Sequence, residues 1–134
     1  MSAGYSGTPL GKKLGFKTGA GLWAVGTPPS VRAEIEQTVA PAYVARPAKG
    51  LAGAHIFHIR AGALERDLKK LRPLLAPEGM IWVSWPKKAA KVETDITEDV
   101  IRALALPMGY VDVKVCAIDA VWSGLKLVIR KSER

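Results

Sequence analysis

Residues 54–85 read AHIFHIRAGALERDLKKLRPLLAPEGMIWVSW, and this stretch decides the fold. Its two ends, residues 54–59 and 80–85, are apolar runs with the length and the β-branched and aromatic content of buried strands. Between them, leucines at positions 64, 68, 71 and 75 line one face of a predicted helix, with charged residues opposite. A strand, a helix and a second strand in this order predict a right-handed crossover with parallel strands.

The preceding segment predicts another strand and helix. Residues 21–26 (GLWAVG) form a short apolar run between glycines, which is typical of a strand buried on both faces. Ser30 is placed to cap a helix whose apolar positions Val31, Ile35 and Val39 recur every four residues before Pro41 ends it. Residues 43–46 are predicted as a short second strand, which Pro47 and the glycines of 50–53 interrupt.

The following segment predicts one more helix and a pair of strands. Thr97 is placed to cap a helix that carries Glu98 and Asp99 in its first turn, Ile96 is placed to pack against Ile101, and Gly109 is where that helix should end. Apolar residues then alternate with other residues over 111–117 and 125–130. The connection over 119–124 is too short for a helical crossover, so these two strands should be antiparallel.

The order of these elements predicts an α/β fold: a Rossmann-like, mostly parallel sheet with helices on both faces and a C-terminal antiparallel strand pair. We expect a single domain over residues 13–134. The preceding residues 1–12 are rich in Gly, Ser, Thr and Pro and are predicted to be a flexible lead-in, anchored by Leu10, Leu14 and Phe16.

Composition restricts the class of protein. The 134 residues, 49% of them hydrophobic, suffice for one core without disulfides or a structural metal. The only cysteine, Cys116, lies in an apolar segment and is interpreted as a buried apolar residue, and no membrane span or signal segment is recognised, so we expect a cytoplasmic protein. The net charge of +8 is compatible with nucleic acid or an anionic ligand. The cations are scattered in pairs, however, which favours an ordinary solvated surface.

The sequence also resembles two known groups of proteins. The order of elements, with LAPEG (75–79) ending a Leu-rich helix just before a strand, is similar to a truncated class I methyltransferase. A closer likeness covers nearly the whole chain and resembles the bacterial family called domain of unknown function 3052. That family implies no activity for particular residues. The segments that carry the likeness are PLGKKLGFK (9–17), WVSWPKK (82–88), TDITED (94–99), VDVKVC (111–116) and WSGLK (122–126).

The parallel sheet selects a candidate binding site. Ligands of such sheets sit outside the carboxyl ends of the strands, where loops and helix N-termini converge. The loop after residue 119 reaches that edge only if the first strand of the C-terminal pair is parallel to the others, which we assume. The candidate ligand-binding residues are Gly26, Thr27, Ser30, Arg60, Ser84, Trp85, Lys87, Lys88, Trp122 and Ser123.

Familiar catalytic and cofactor motifs are not recognised. The first strand ends in Gly26-Thr27-Pro28-Pro29 instead of a Gly-x-Gly loop, and Arg46 stands where the second strand should end in an acid, so no cofactor is predicted; S-adenosylmethionine or a nucleotide is left as an alternative. His55 and His58 should point to opposite sides of a strand, so no metal site is expected. Neither histidine has an evident partner in the sequence, and no catalytic residue is named.

Three functions therefore compete. The preferred hypothesis is a non-enzymatic binding or regulatory domain for a small anionic ligand or a protein partner. The alternatives are an enzyme that acts on a nucleotide-like or phosphorylated substrate through Arg60, Lys87 and Lys88, and a nucleic-acid-binding protein, whose affinity would fall steeply with salt.

Overall fold

A computed structural model describes residues 7–134 and contains one six-stranded sheet. The helices are α1 (Leu10–Leu14), α2 (Pro29–Glu36), α3 (Ala61–Leu71) and α4 (Glu98–Ala105). The strands are β1 (Gly21–Val25), β2 (Ala42–Tyr43), β3 (Leu51–Phe57), β4 (Leu75–Pro86), β5 (Tyr110–Ala117) and β6 (Trp122–Ile129). No helix in the described range is long and apolar enough to cross a membrane.

The sheet confirms the predicted fold class. Its order is β2-β1-β3-β4-β6-β5, and β2, β1, β3 and β4 are mutually parallel. Strand β6 is antiparallel to both β4 and β5, so β5 runs parallel to the first four strands, as assumed. The three apolar segments on which the fold prediction depends therefore lie side by side and point the same way.

Helices cover both faces of the sheet and create two apolar cores. We call one side the α3/α4 face, where Leu64, Leu68 and Ile101 pack against Ile56 and Ile81. We call the other side the α1/α2 face. There the predicted anchors Leu10, Leu14 and Phe16 are buried together with residues of α2 and the sheet. Burial of both faces explains why the central strands are almost uninterrupted apolar runs.

Several boundaries differ from the predictions. The second strand is Ala42–Tyr43 rather than 43–46. Strand β3 begins at Leu51, and β4 begins at Leu75, because Leu51 and Leu75 pair ahead of an irregularity in the register. The predictions that Leu75 lies on the helix and that LAPEG ends it are therefore wrong: α3 ends at Leu71, and LAPEG opens β4, because Leu75 pairs with Leu51.

Of the predicted helix ends, those at Thr97 and Gly109 are confirmed and the one at Ser30 is wrong. Thr97 does cap α4: its hydroxyl accepts a hydrogen bond from the Val100 amide at 3.2 Å. A short 3₁₀ turn follows α4, and Gly109, in a left-handed conformation (φ +95°), ends it. The predicted cap at Ser30 is wrong, because α2 begins at Pro29 and places Ser30 inside the first turn. Proline is favoured at that first position, where its missing N–H costs nothing.

The predicted division into a lead-in over 1–12 and a domain over 13–134 stays a prediction, because residues 1–6 lie outside the described part of the chain. Within the described part, α1 begins at Leu10 and its Gly11 is buried.

Candidate functional site

The carboxyl ends of β1 and β3 meet where the strand order reverses, and in open α/β sheets this is the usual position of a ligand. Gly26 follows β1 with φ +68°. A Cβ atom at this position would lie 3.2 Å from the Phe57 carbonyl oxygen at the end of β3. Glycine is therefore required both for the conformation and for the close approach of the two strand ends.

The loop from β1 to α2 offers few donors to an anion. Pro28 and Pro29 have no N–H group, and the amides of Val31 and Arg32 both donate to the Pro28 carbonyl at 3.0 Å. Thr27 contributes a hydroxyl oxygen that is buried without a hydrogen-bond partner among the described residues. The backbone of this loop is thus poorly suited to hold phosphate groups.

Ser84 and Trp85, at the end of β4, are buried rather than presented to a ligand. The Ser84 hydroxyl lies 2.8 Å from His55 Nε2, and the His55 ring packs against Phe57 and Phe16, with ring centroids 4.4 and 5.6 Å away. Burial lowers the pKa of His55 to about 3, so the ring is neutral at physiological pH. His55 and Ser84 are both buried on the α1/α2 face of the sheet, whereas Trp85 is buried in the core on the α3/α4 face.

Arg60 follows β3 but turns toward the α4 side of the molecule. Its guanidinium donates to Glu93 at 2.9 Å, and this hydrogen bond raises the pKa of Arg60. The neighbouring Ala61 amide donates to the Asp95 carboxylate at 2.7 Å, which closes the N-terminus of α3. Arg60 is therefore engaged in a structural contact between two loops.

His58 has a partner that the sequence did not reveal. Its Nε2 atom lies 2.6 Å from Asp67 Oδ2 on α3, and both side chains are largely buried. His58 and Asp67 are nine residues apart and are joined only because α3 folds back along β3. The signal available in the sequence was an acidic residue, Asp67, near the middle of the helix that follows the strand.

Lys87 and Lys88 lie on a basic turn, which we define as residues 87–91. The turn contains a short 3₁₀ segment, and its start is fixed because the Lys87 amide donates to the Val121 carbonyl at 2.7 Å. Lys91 ends it with φ +54°, an uncommon conformation for a residue with a side chain. None of its lysines makes an ion pair with the described residues, which leaves three cations at the carboxyl edge.

Trp122 and Ser123 do reach the carboxyl edge, because β5 is parallel to the first strands. The Asp119 carboxylate accepts hydrogen bonds from the amides of Val121 and Trp122, both at 2.8 Å, and so shapes the turn between β5 and β6. The Trp122 ring meets Phe57 edge to face, with centroids 5.0 Å apart, and Ser123 pairs with Trp85.

The predicted site residues therefore divide into three groups. One group gathers at adjacent strand ends: Gly26, Ser84, Trp85, Trp122 and Ser123. A second group lies around that edge: Thr27, Lys87 and Lys88 on loops, and Ser30 in the first turn of α2. Arg60 alone is drawn away, by Glu93.

The carboxyl edge does not fit S-adenosylmethionine, which methyltransferase-like folds imply. The end of β2 should supply a carboxylate for the ribose hydroxyls, but β2 ends at Tyr43 and is followed by Val44, Ala45 and the exposed Arg46. The two prolines after Thr27 remove the donors that would approach the cofactor.

The described residues favour neither a metal-ion site nor a reactive cysteine thiol. The part of the chain that the structure describes contains no cluster of three His, Cys, Asp or Glu side chains suited to a metal ion. Cys116 is partly buried, and burial raises the pKa of its thiol, which reduces the thiolate fraction.

A cleft of about 310 Å³ lies at the opposite end of the sheet, where β1, β3 and β4 begin. We call it the amino-edge cleft. It is on the α1/α2 face, roofed by residues 15–17 and 20 and by Pro41. The sequence did not predict it, because the strand-end rule points to the other edge.

Comparisons with solved structures identify the fold. A SAM-dependent methyltransferase from Aquifex aeolicus matches with a TM-score of 0.59 and 13% identity over 88% of this chain and 86% of that one. The ribosomal protein L11 methylase of Lactobacillus delbrueckii subsp. bulgaricus matches with a TM-score of 0.56 and 12% identity over 90% and 76%.

LepI in complex with SAM matches with a TM-score of 0.57 and 12% identity over 92% of this chain, which spans only about half (47%) of LepI. No family model and no curated protein matches, so the resemblance to domain of unknown function 3052 stays a prediction. The chain has a methyltransferase-like, Rossmann-like fold.

Proposed function

We propose that this chain is a non-enzymatic, cytoplasmic binding domain that uses a methyltransferase-like sheet to hold a small anionic ligand at its carboxyl edge. The observation that carries the proposal is the basic turn, whose Lys87, Lys88 and Lys91 have no carboxylate partner among the described residues. Five arginines elsewhere are in ion pairs: Arg32, Arg60, Arg72, Arg102 and Arg130.

The chemistry around this turn supports binding rather than catalysis. Ser84 and His55, the serine and histidine that lie within hydrogen-bond distance, are sealed from solvent. The loop after β1 lacks donors for a cofactor. Lys88 and Lys91 are exposed and Lys87 is half-buried. Three such cations fit an anion better than they fit an apolar protein surface, so the small ligand is favoured over a protein partner.

The test is thermal unfolding and titration calorimetry with phosphate, ATP and S-adenosylmethionine. Phosphate or ATP should raise the Tm of the wild type, and Lys87→Gln/Lys88→Gln should abolish the rise without changing circular dichroism. Lys69→Gln/Lys70→Gln, on exposed positions of α3, is the matched control, because it removes the same charge elsewhere.

Three results would overturn the proposal. One is an equal loss of response in the two double variants, which would indicate only a general charge effect. Another is methyl transfer from S-adenosylmethionine, which would make the chain an enzyme. The third is salt-sensitive nucleic-acid binding that both double variants weaken alike, which would favour the nucleic-acid alternative.

A further inference from the structure

The amino-edge cleft has the architecture of a second, separate binding site. Its floor is formed by Leu22 and Gly53, near the amino ends of β1 and β3, and by Met80 of β4, the register partner of Gly53. Phe16 and Val128 lie at its sides. A volume of about 310 Å³ is at the lower end of the range for small-molecule pockets. The floor is apolar, and methionine adapts readily to the shape of a ligand.

Two features leave the cleft unfilled: α1 is short, and Gly53 has no side chain. The chain turns at Gly15 (φ +79°) after the five residues of α1, so no helix continues over this part of the sheet. A Cβ atom added to Gly53 would make ordinary contacts, 3.5 Å from the Met80 carbonyl oxygen and 3.6 Å from Leu22 Cδ1. Close packing therefore does not demand glycine here, and its effect is to leave space.

Charged side chains surround this apolar floor. Lys17, Lys126 and Glu78 line the cleft, and none of them forms an ion pair with the residues described. Lys114 lies directly opposite Lys126 in the β5–β6 register, which adds a further cation beside the cleft. The balance is positive, so an anionic group would be attracted to the rim while an apolar body occupies the floor.

We propose that the amino-edge cleft binds a small organic acid with an apolar body, such as an aromatic carboxylate. Lys17 and Lys126 attract the carboxylate, and Phe16, Leu22 and Met80 contact the apolar part. This site is independent of the anion site proposed at the carboxyl edge, since the two share no residue.

The probe is 2-naphthoate, compared with 2-naphthol, by titration calorimetry on the full chain. The wild type should bind both and prefer the carboxylate. Lys17→Gln/Lys126→Gln should weaken 2-naphthoate about tenfold and leave 2-naphthol nearly unchanged. Gly53→Val, which extends a side chain into the floor, should weaken both compounds.

Lys69→Gln/Lys70→Gln, on exposed positions of α3 outside both proposed sites, is the control and should bind both compounds like the wild type. Lys87→Gln/Lys88→Gln, the carboxyl-edge variant, is measured beside it. Circular dichroism should show that every variant is folded. The proposal is overturned if the wild type binds neither compound, if the Lys17/Lys126 variant loses both equally, or if Gly53→Val binds them unchanged. Loss in the carboxyl-edge variant instead would assign the compounds to the other site.

Discussion

The two faces of the sheet differ in how completely their polar groups are satisfied. On the α3/α4 face, the buried Tyr110 hydroxyl donates to the Leu68 carbonyl at 2.7 Å. Arg102 there joins Glu98, Asp99 and Asp112 in a single network.

On the α1/α2 side, by contrast, lie all the buried side-chain polar atoms that lack a hydrogen-bond partner in the described chain. Thr27 and Thr38 flank α2, and His55 faces α1 with Nδ1 unpaired. This side also contains the amino-edge cleft. The two faces thus differ in how fully their buried polar groups are satisfied. The α1/α2 side, although its core is closely packed, retains unsatisfied groups and space, as binding surfaces commonly do.

The largest expected effect is at Trp82, which anchors α1 to the sheet. Its ring is fully buried, and its indole N–H donates to the Leu14 carbonyl at 2.7 Å. Trp82→Ala should lower the free energy of unfolding by about 4 kcal/mol, measured by urea denaturation. Trp82→Phe retains most of the packing and should lose less. A loss below about 1 kcal/mol for alanine would show that α1 is not held in this way.

Gly11 tests how tightly α1 packs against the C-terminal end of α2. A Cβ atom at Gly11 would lie 2.7 Å from Val39 Cγ2 and 2.8 Å from the Ile35 carbonyl oxygen. Gly11→Ala should therefore destabilise the protein by about 2 kcal/mol in chemical denaturation.

The matched control for Gly11 is Gly62→Ala on α3, where the nearest atom to a new Cβ is 3.9 Å away. This variant should be stabilised by about 0.5 kcal/mol, because alanine favours helix and restricts the unfolded chain. The same sign of change at both glycines would contradict the close approach of α1 to α2 at Gly11.

His55 should make the stability of the protein depend on pH. The folded pKa is lowered from 6.5 to about 3 by burial, so between these values the unfolded chain binds the proton and the folded chain does not. The stabilising contribution is complete well above pH 6.5 and is lost as pH falls between 6.5 and about 3, with a slope that approaches about 1.4 kcal/mol per pH unit in the middle of that window.

The His55 prediction is checked by urea denaturation at pH 6.5 and pH 5.5. In His55→Gln, whose amide does not titrate, this contribution to the pH dependence should be absent. An unchanged pH dependence in that variant would assign the effect to other groups.

The smallest loss of stability is expected at Thr97, on the well-satisfied face. Thr97→Ala removes the hydroxyl that accepts the Val100 amide and should cost about 1 kcal/mol. Thr97→Ser keeps the hydroxyl and should restore most of the stability. If alanine and serine behave alike in thermal unfolding, the cap does not contribute.

The sequence by itself determined the six strands, α2, α3, α4 and their order, because these depend on local periodicity and on residues such as Thr97 and Gly109 that begin or end helices. It missed α1, because a helix of five residues is too short to show a periodic apolar pattern. Parallel pairing of β1 with β2 and of β3 with β4 followed, since a helix lies between the two strands of each pair and makes the connection too long for a hairpin. The start of α2 was missed because Ser30 and Pro29 both suit a helix N-terminus, and the proline took the first position.

Only the tertiary structure decided which polar groups meet. His55 and Ser84 are 29 residues apart, and Ala61 and Asp95 are 34 apart, so no local pattern could join them. The amino-edge cleft likewise depends on where residues 15–20 cross the sheet after a short helix. Contacts between distant segments depend on the geometry of packing, which the periodicity of a single segment does not encode.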